Sequence, residues 1–578
     1  MPRPGPQEFH DGVLDLARRG GAAWDRGARL ALRRLGLKRW RGGPSTAAAG
    51  VATPSPPPGT ERLPVARPLP EARYLFVVGA VPANFGGRTA SILQKCRLLK
   101  ELAGVNSTIV TLNYTSEIED VPADLRRRGL LVEGVDIVNL HDYFERDAAP
   151  VTAAVHHELD EPGMERVQDP GQGVHRYYQN GVCRLSKRFD DKGRLLVREW
   201  FDENQSRTRR DELGSNGLVR RMIELDPHNN RPRQETFYRS DGTPCMRKRH
   251  ALDPATGTTR VGEVTLLDAD GRPAQVLASN VALKQLYLDT LIGNGRAFLT
   301  VESRRSDQET LTYRRPNVKQ IYVLHNPHLA PPGDDPSAIR PAYQPLFEHQ
   351  DDLDAIVFLT NAQRADAEAY FGERKNFRVI PHPVGRAEAV SFGDRDPNLV
   401  VMLARLDQQK QISDAITAFA HVVEDLPAAR LEIYGEGADR DKLQGRIDAL
   451  RLGGSVTLMG YTKNPDAVYQ RAALSILTSK FEGFGLVLLE SLAQGCPVIS
   501  YDVKYGPSDI IVNGVNGYLV EPRATAQLAD RVVEVLRDEP LRRRLSDGAA
   551  RLNAQFSQQA FVARWADLFG DLDAEGWG

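Results

Sequence analysis

Between residues 155 and 276 the chain loses helical periodicity and acquires a turn signal about every two dozen residues. Asn180-Gly181, Asp191-Lys192-Gly193, Asn216-Gly217, Asp241-Gly242 and Asp270-Gly271 punctuate short alternating runs such as 195–201 and 235–238. Gly193, Gly217, Gly242 and Gly271 lie 24, 25 and 29 residues apart. Turn dipeptides at this spacing predict serial hairpins of an antiparallel sheet. On both sides the pattern differs, with short apolar runs alternating with helix-period segments, as in parallel α/β layers. Parallel layers do not generate serial hairpins, so residues 155–276 are expected to form an all-β domain inserted into an α/β unit made of 72–154 and 277–385. A second α/β unit is expected over 386–556, with a closing helix in 557–578 that crosses back to the first.

The first α/β unit opens with the apolar strand 74–78, the loop Asn84-Phe85-Gly86-Gly87-Arg88-Thr89 and a helix over 90–102. Gly86 and Gly87 allow a phosphate or sugar to approach the backbone closely. Strands are expected at 108–112 and 135–140. After the insertion come a helix at 281–291 and strands at 297–301 and 319–324, the last ending in His325-Asn326-Pro327-His328. A histidine at the carboxyl end of a parallel strand points into a cleft or is an ordinary loop histidine.

In the second unit Arg405 ends a strand over 398–404, and Lys410 follows five residues later at the next helix. Fixed cations at such a turn neutralise a leaving phosphate, or they are a surface pair. The strand-and-turn 431–437 lacks the third glycine of a dinucleotide fingerprint, because Arg440 stands there, so a nicotinamide site is rejected. A strand and loop at 456–461 bring up Tyr461. The segment Ser479-Lys480-Phe481-Glu482-Gly483-Phe484-Gly485-Leu486 joins an apolar strand to a helix over 486–493. It places Glu482 and Glu490 eight positions apart at an edge where open α/β sheets bind ligands. Carboxylates accept hydrogen bonds from paired hydroxyls, so these two suit a sugar and a ribose; the bland alternative is a turn carrying two solvated acids.

Glu-x7-Glu within Phe-Glu-Gly-Phe-Gly-Leu, together with Arg405-x4-Lys410, resembles the signature of family 4 glycosyltransferases. The resemblance runs from about Asn398 to the C-terminus and, more weakly, through 74–114 and 320–383. It implies a GT-B fold, two Rossmann-like domains facing a cleft, and retaining hexosyl transfer from a nucleotide sugar without a cofactor or metal ion. It implies that Arg405 and Lys410 hold the diphosphate, Glu490 the ribose and Glu482 the donor sugar, with His325 beside it. Gly86, Gly87, Phe484, Gly485 and Leu486 would lie near the sugar and phosphates, and Tyr461 near the base. An inserted β domain resembles the subgroup containing poly(glycerol-phosphate) α-glucosyltransferases, wall teichoic acid α-glycosyltransferases and the glycosyltransferases of serine-rich adhesins. In that subgroup the β domain assembles subunits or engages the acceptor, which implies a homo-oligomer here. The expected donor is a UDP-hexose, glucose or N-acetylglucosamine, and the expected acceptor a teichoic-acid-like polymer. The alternatives are a protein O-glycosyltransferase acting on Ser/Thr-rich chains and a non-catalytic GT-B binding subunit.

Arg207, Arg209, Arg210, Arg220, Arg221, Arg231, Arg233, Arg247 and Arg249 make the β domain arginine-rich. They suit a polyphosphate acceptor, or a solvated sheet face balanced by Asp202, Glu203, Asp211 and Glu212. A net charge of -1 over 578 residues gives no case for nucleic acid. Four cysteines without paired spacing favour a reducing cytoplasm. Residues 10–42 interleave eight arginines with Trp24, Leu35 and other apolar residues. They read either as an amphipathic helix lying on the inner membrane face or as a basic tail; the Pro- and Ala-rich stretch 42–70 reads as a linker. The triplets Asp268–Asp270, Asp352–Asp354 and Asp394–Asp396 follow no buried strand, and no metal site is expected.

Overall fold

The computed structural model describes residues 67–578 apart from 83–84, 116–119, 146–153, 170–172, 254–256, 332, 334, 386–390 and 553. The basic N-terminal segment and Asn84 therefore lie outside the described residues. Those described form three sheets.

The first is a seven-stranded parallel sheet in the order Phe377–Val379, Ala355–Phe358, Val318–Val323, Ala297–Val301, Arg73–Val78, Ser107–Thr111, Val135–Asn139. The chain builds outward from Arg73–Val78 in one direction, leaves, and returns on the other side with Ala297–Val301. The strand order thus reverses between these two neighbours, whose register runs Arg73 to Ala297 through Val77 to Val301. A six-stranded parallel sheet follows, in the order Val456–Gly460, Arg430–Tyr434, Asp396–Leu403, Ala472–Leu477, Val498–Tyr501, Gly517–Val520. It reverses between Asp396–Leu403 and Ala472–Leu477. Each reversal leaves a crevice at the carboxyl ends of two strands, because the flanking helices depart in opposite directions.

The interruption of the first sheet is a ten-stranded antiparallel meander running in sequence order from Glu165–Gln168 to Pro273–Leu277. Phe237, Met246, Val264 and Leu266 of the meander share a core with Leu283, Tyr287 and Leu288 of the helix Asn280–Ile292 and with Leu75 and Val77. The arginines are mostly paired within the sheet. Arg198 and Arg209 meet the buried Asp211, Arg207 and Arg210 meet Glu199, and Arg221 lies between Glu212 and Glu235. Arg233 meets Asp226, and Arg220 reaches Glu145 of the first α/β unit. Arg231 donates to the carbonyl of Gly257. Arg247 and Arg249 are exposed and, among the described residues, meet no ion-pair partner.

The helix Gln558–Ala574, capped by Ser557 accepting from the amide of Ala560 at 3.1 Å, packs on the helix Gly87–Ala103 of the first unit. Trp565 and Phe569 enter the same core as Tyr74, Phe76 and Phe298. The four cysteines are free and buried.

Candidate active site

Gly86, Gly87, Arg405 and Glu482 follow strands that flank the two reversals, whereas His325 and Tyr461 follow other strands of the two sheets. In the six-stranded sheet, Ala404 and Arg405 follow one strand and Thr478 to Glu482 the other. The Asp407 side chain accepts from the amides of Gln409 and Lys410 at 3.1 and 3.3 Å, fixing the turn before the helix Ile412–Asp425. Thr478 ties the two loops together by donating to the carbonyls of Lys410 and Gln411 at 3.0 and 3.1 Å. The Gln409 side chain donates to the carbonyl of Phe481 at 3.0 Å. Held in this way, Lys410 Nζ meets Glu482 Oε1 at 2.6 Å, and Ser479 Oγ donates to the same oxygen at 2.5 Å. Lys410 and Glu482 are largely removed from solvent, so the pair is a rigid cation beside a rigid acceptor.

Arg405 is placed differently. Its side chain is 70% exposed and pairs with Asp407 at 3.1 Å and Gln409 at 3.3 Å. Glu490 lies on the second turn of the helix Leu486–Ala493. It lines a crevice of about 430 Å³ together with Phe85, Gly87, Gln94, Arg97 and Leu486. Among the described residues no hydrogen bond or ion pair reaches Glu490. Burial, followed by the neighbouring charge of Asp466, pushes its carboxyl up to about 7. Tyr461, past the strand Val456–Gly460, is 72% exposed.

The loop bearing Glu482 is pressed against the first α/β unit. A side chain at Gly483 would put its first carbon 2.2 Å from the carbonyl oxygen of His325, so only glycine fits. Phe484 meets the His382 ring edge-on at 5.3 Å, and a carbon added at Gly87 would meet the Leu486 side chain at 3.6 Å. The glycine loop, the histidine strand end and the carboxylate motif therefore border one cleft.

His325 rests on a buried charge system spanning the first sheet's reversal. Lys95 Nζ meets Glu302 Oε1 at 2.5 Å, and Glu302 Oε2 meets His325 Nε2 at 2.7 Å. Lys95 also lies over the Trp565 ring at 4.1 Å. Burial alone would raise Glu302, but Lys95 and His325 outweigh it and hold the carboxyl at about 2. Burial lowers His325, against the opposing pull of Glu302. It lowers His382, which stacks on His325 at 5.7 Å, to about 3. Both rings are neutral at pH 7. An ionised carboxylate only accepts, so His325 carries its proton on Nε2 and keeps Nδ1 as an acceptor for a hydroxyl. Ser91 Oγ bonds His382 Nδ1 at 2.9 Å.

His328 is fully buried and packs parallel to Tyr505 at 6.0 Å. The three Asp-x-Asp triplets are absorbed by structure. Asp268 accepts turn amides, Asp354 the amide of Gln320, and Asp396 pairs with Arg430. Among the described residues no three acidic, histidine or cysteine side chains gather as a metal cluster.

Residues 387–552 match the family described as Glycosyl transferases group 1. The chain carries a group 1 glycosyltransferase domain. Poly(glycerol-phosphate) alpha-glucosyltransferase of Bacillus subtilis is 26% identical over 513 residues, 86% of this chain and 75% of that protein. Poly(ribitol-phosphate) alpha-N-acetylglucosaminyltransferase of Staphylococcus aureus is 24% identical over 509 residues, 86% of this chain and 99% of that one. In three dimensions the chain resembles a variant of S. aureus TarM, solved with fondaparinux, alpha-GlcNAc-glycerol and UDP. The TM-score is 0.73 at 22% identity, covering 86% of this chain and 99% of that one. The pneumococcal O-GlcNAc transferase GtfA, solved with UDP and GlcNAc, follows at 0.68 and 17%, covering 87% and 99%. The fold of this glycosyltransferase-domain protein is thus GT-B with an inserted antiparallel domain.

Proposed function

We propose that the protein is a retaining α-hexosyltransferase. It moves glucose or N-acetylglucosamine from a UDP-sugar to a hydroxyl of a polyol-phosphate polymer, without a bound cofactor or metal ion. The observation that carries this reading is the Lys410–Glu482 pair at 2.6 Å, set at the reversal of one sheet and facing the His325–Glu302 pair at the reversal of the other. The group 1 domain and the near full-length likeness to polyol-phosphate glycosyltransferases supply the substrate class.

In this mechanism Lys410 and the solvent-facing Arg405 neutralise the diphosphate as its bond to the anomeric carbon breaks. Fixed charge aimed at the leaving group is worth more to the transition state than to the ground state. Glu482, already oriented by Lys410 and Ser479, accepts from sugar hydroxyls. Glu490 accepts from the ribose, and Tyr461 lies toward the base. Main-chain groups at Gly86, Gly87, Phe484, Gly485 and Leu486 border the sugar and phosphates. His325 Nδ1 accepts from a hydroxyl of the sugar. The acceptor oxygen bonds to the anomeric carbon from the face the diphosphate leaves, and its proton passes to the departing phosphate oxygen. The charge thus passes through an oxocarbenium-like state without an enzyme nucleophile.

The exposed Arg247 and Arg249 offer charge to an anionic polymer. Both edge strands of the meander are exposed, over Glu165–Gln168 and along 273–276, and suit pairing between copies in a homo-oligomer. No helix among the described residues is long and apolar enough to cross a membrane. We place the protein in the cytoplasm; the basic residues 10–42, outside the described residues, are the candidate contact with the membrane face. A second reading, transfer to Ser/Thr-rich protein, is favoured by likeness to the GtfA subunit of Streptococcus gordonii, 24% identical over 475 residues. Incubation with UDP-glucose or UDP-N-acetylglucosamine and either a teichoic-type polymer or a Ser/Thr-rich peptide, read by mass spectrometry, decides between them. Failure to hydrolyse or transfer from any UDP-sugar would reject both.

A further inference from the structure

Glu482 is gripped by its main chain as well as by its carboxylate. Its amide donates to the carbonyl of Lys504 at 3.0 Å, and the amide of Tyr505 donates to its own carbonyl at 2.7 Å. Residues 504 and 505 leave the strand Val498–Tyr501 and belong to the second α/β unit, yet their side chains cross the cleft. Lys504 Nζ lies 2.9 and 2.8 Å from the two carboxylate oxygens of Asp366, and Tyr505 Oη donates to Asp366 Oδ2 at 2.7 Å. Asp366 stands on the helix Asn361–Phe371 of the first unit. The same helix makes a second link, with the amide of Asn361 donating to Asp509 at 2.7 Å. Gly506 is so close to the carbonyl of Phe484 that an added carbon would sit 1.7 Å from it, at a φ of +106° that favours glycine. The 504–506 segment and the Glu482 loop therefore move as one piece. Tyr505 is 1% exposed and stacks on the buried His328, which follows the strand carrying His325.

We propose that Asp366 is a positioning residue that makes the placement of Glu482 conditional on the two α/β units being closed. A carboxylate accepting from a lysine and a tyrosine is a charge-assisted junction, stronger than a neutral one and lost at once when the surfaces part. Separation of the units withdraws Asp366, frees Lys504 and Tyr505, and loosens the two main-chain bonds that hold Glu482 beside Lys410. Closure, by contrast, presents a fixed acceptor to the donor sugar only when His325 is also in place. The inference rests on the glycosyl-transfer reading above and adds to it the device that assembles its site.

The test compares full-length wild type with Asp366→Ala, Asp366→Asn and Tyr505→Phe. Asp366→Ala is expected to lower the kcat of UDP-sugar turnover on the order of 10²-fold, as small displacements of catalytic groups do. UDP affinity, set by Arg405, Lys410 and Glu490 on the second unit, should stay within about threefold, since distant sites contribute independently. Asp366→Asn keeps a carbonyl acceptor and should recover part of the loss. Hydrogen exchange without donor should quicken at the amides of Glu482 and Tyr505 in Asp366→Ala, while the sheet amides remain protected. Unchanged kcat and unchanged exchange at those amides would overturn the proposal, and so would a parallel fall of kcat, UDP affinity and sheet protection. The exchange result is read without substrate, so an inactive wild type counts against glycosyl transfer while the exchange still decides the clamp.

Discussion

Glu490→Gln separates what the ribose contact needs from what the empty protein prefers. The Glu490 carboxyl is raised from 4.5 to about 7 by burial and by Asp466, with no hydrogen-bond donor in reach. A raised acid in the folded state binds its proton more tightly than in the unfolded chain. Its contribution to stability is therefore complete below about 4.5 and is lost as pH rises through about 7. The gap of about 2.5 between those values corresponds to roughly 3 kcal/mol, and partial solvent access reduces this to about 1–2 kcal/mol. Glutamine fills the same space without a charge. At pH 4 the urea midpoints of wild type and Glu490→Gln should coincide, and at pH 8 the variant should be more stable by about 1–2 kcal/mol. Affinity for a UDP-sugar should move the opposite way. The ionised carboxylate is the form that accepts both ribose hydroxyls, so wild-type affinity should fall about fivefold from pH 7 to pH 6. A UDP-sugar is the ligand to use, because its diphosphate does not titrate in that range, and the variant should bind it weakly at every pH. Equal stabilities at pH 8, or a wild-type affinity that ignores pH between 6 and 8, would refute the reasoning.

Lys410→Ala should reduce turnover of a UDP-sugar by about 10²–10³, as expected for a lost electrostatic donor, and a steady-state assay on purified protein checks it. Glu302→Gln leaves Lys95 buried opposite a neutral group and should cost about 3–5 kcal/mol in urea denaturation. Gly483→Ala drives a carbon into the His325 carbonyl. It should drop kcat on the order of 10²-fold while circular dichroism stays native, since the clash is confined to a loop between two intact sheets.

The β insertion was legible because hairpin turns carry local chemistry: Gly193, Gly217, Gly242 and Gly271 all adopt positive φ in the structure. The helix Leu486–Ala493 was legible for a similar reason, with Gly485 at its start and an apolar run behind it. The Lys95–Glu302 pair was not. Its partners are 207 residues apart, and Lys95 reads in sequence as one more charge on a helix. His382 and Ser91, 291 residues apart, were hidden for the same reason. The arginines of the meander could be read two ways, because a strand's charges are neutralised by whichever residue its neighbour sets opposite. Register supplied the answer, pairing Glu199 with Arg210 and Glu212 with Arg221 across adjacent strands. Asp366 gave no signal at all, since its meaning arises only when a helix of one unit meets a loop of the other.

Trp565 and Phe569 also set an order of events during synthesis. They fill the space beneath Tyr74 and Phe298, on strands whose synthesis ends hundreds of residues earlier. A nascent chain stalled before residue 557 would hold an opening unit with an unsealed apolar flank and Lys95 without its aromatic cover. Nearly the whole chain must therefore be made before the first half of the molecule can finish folding.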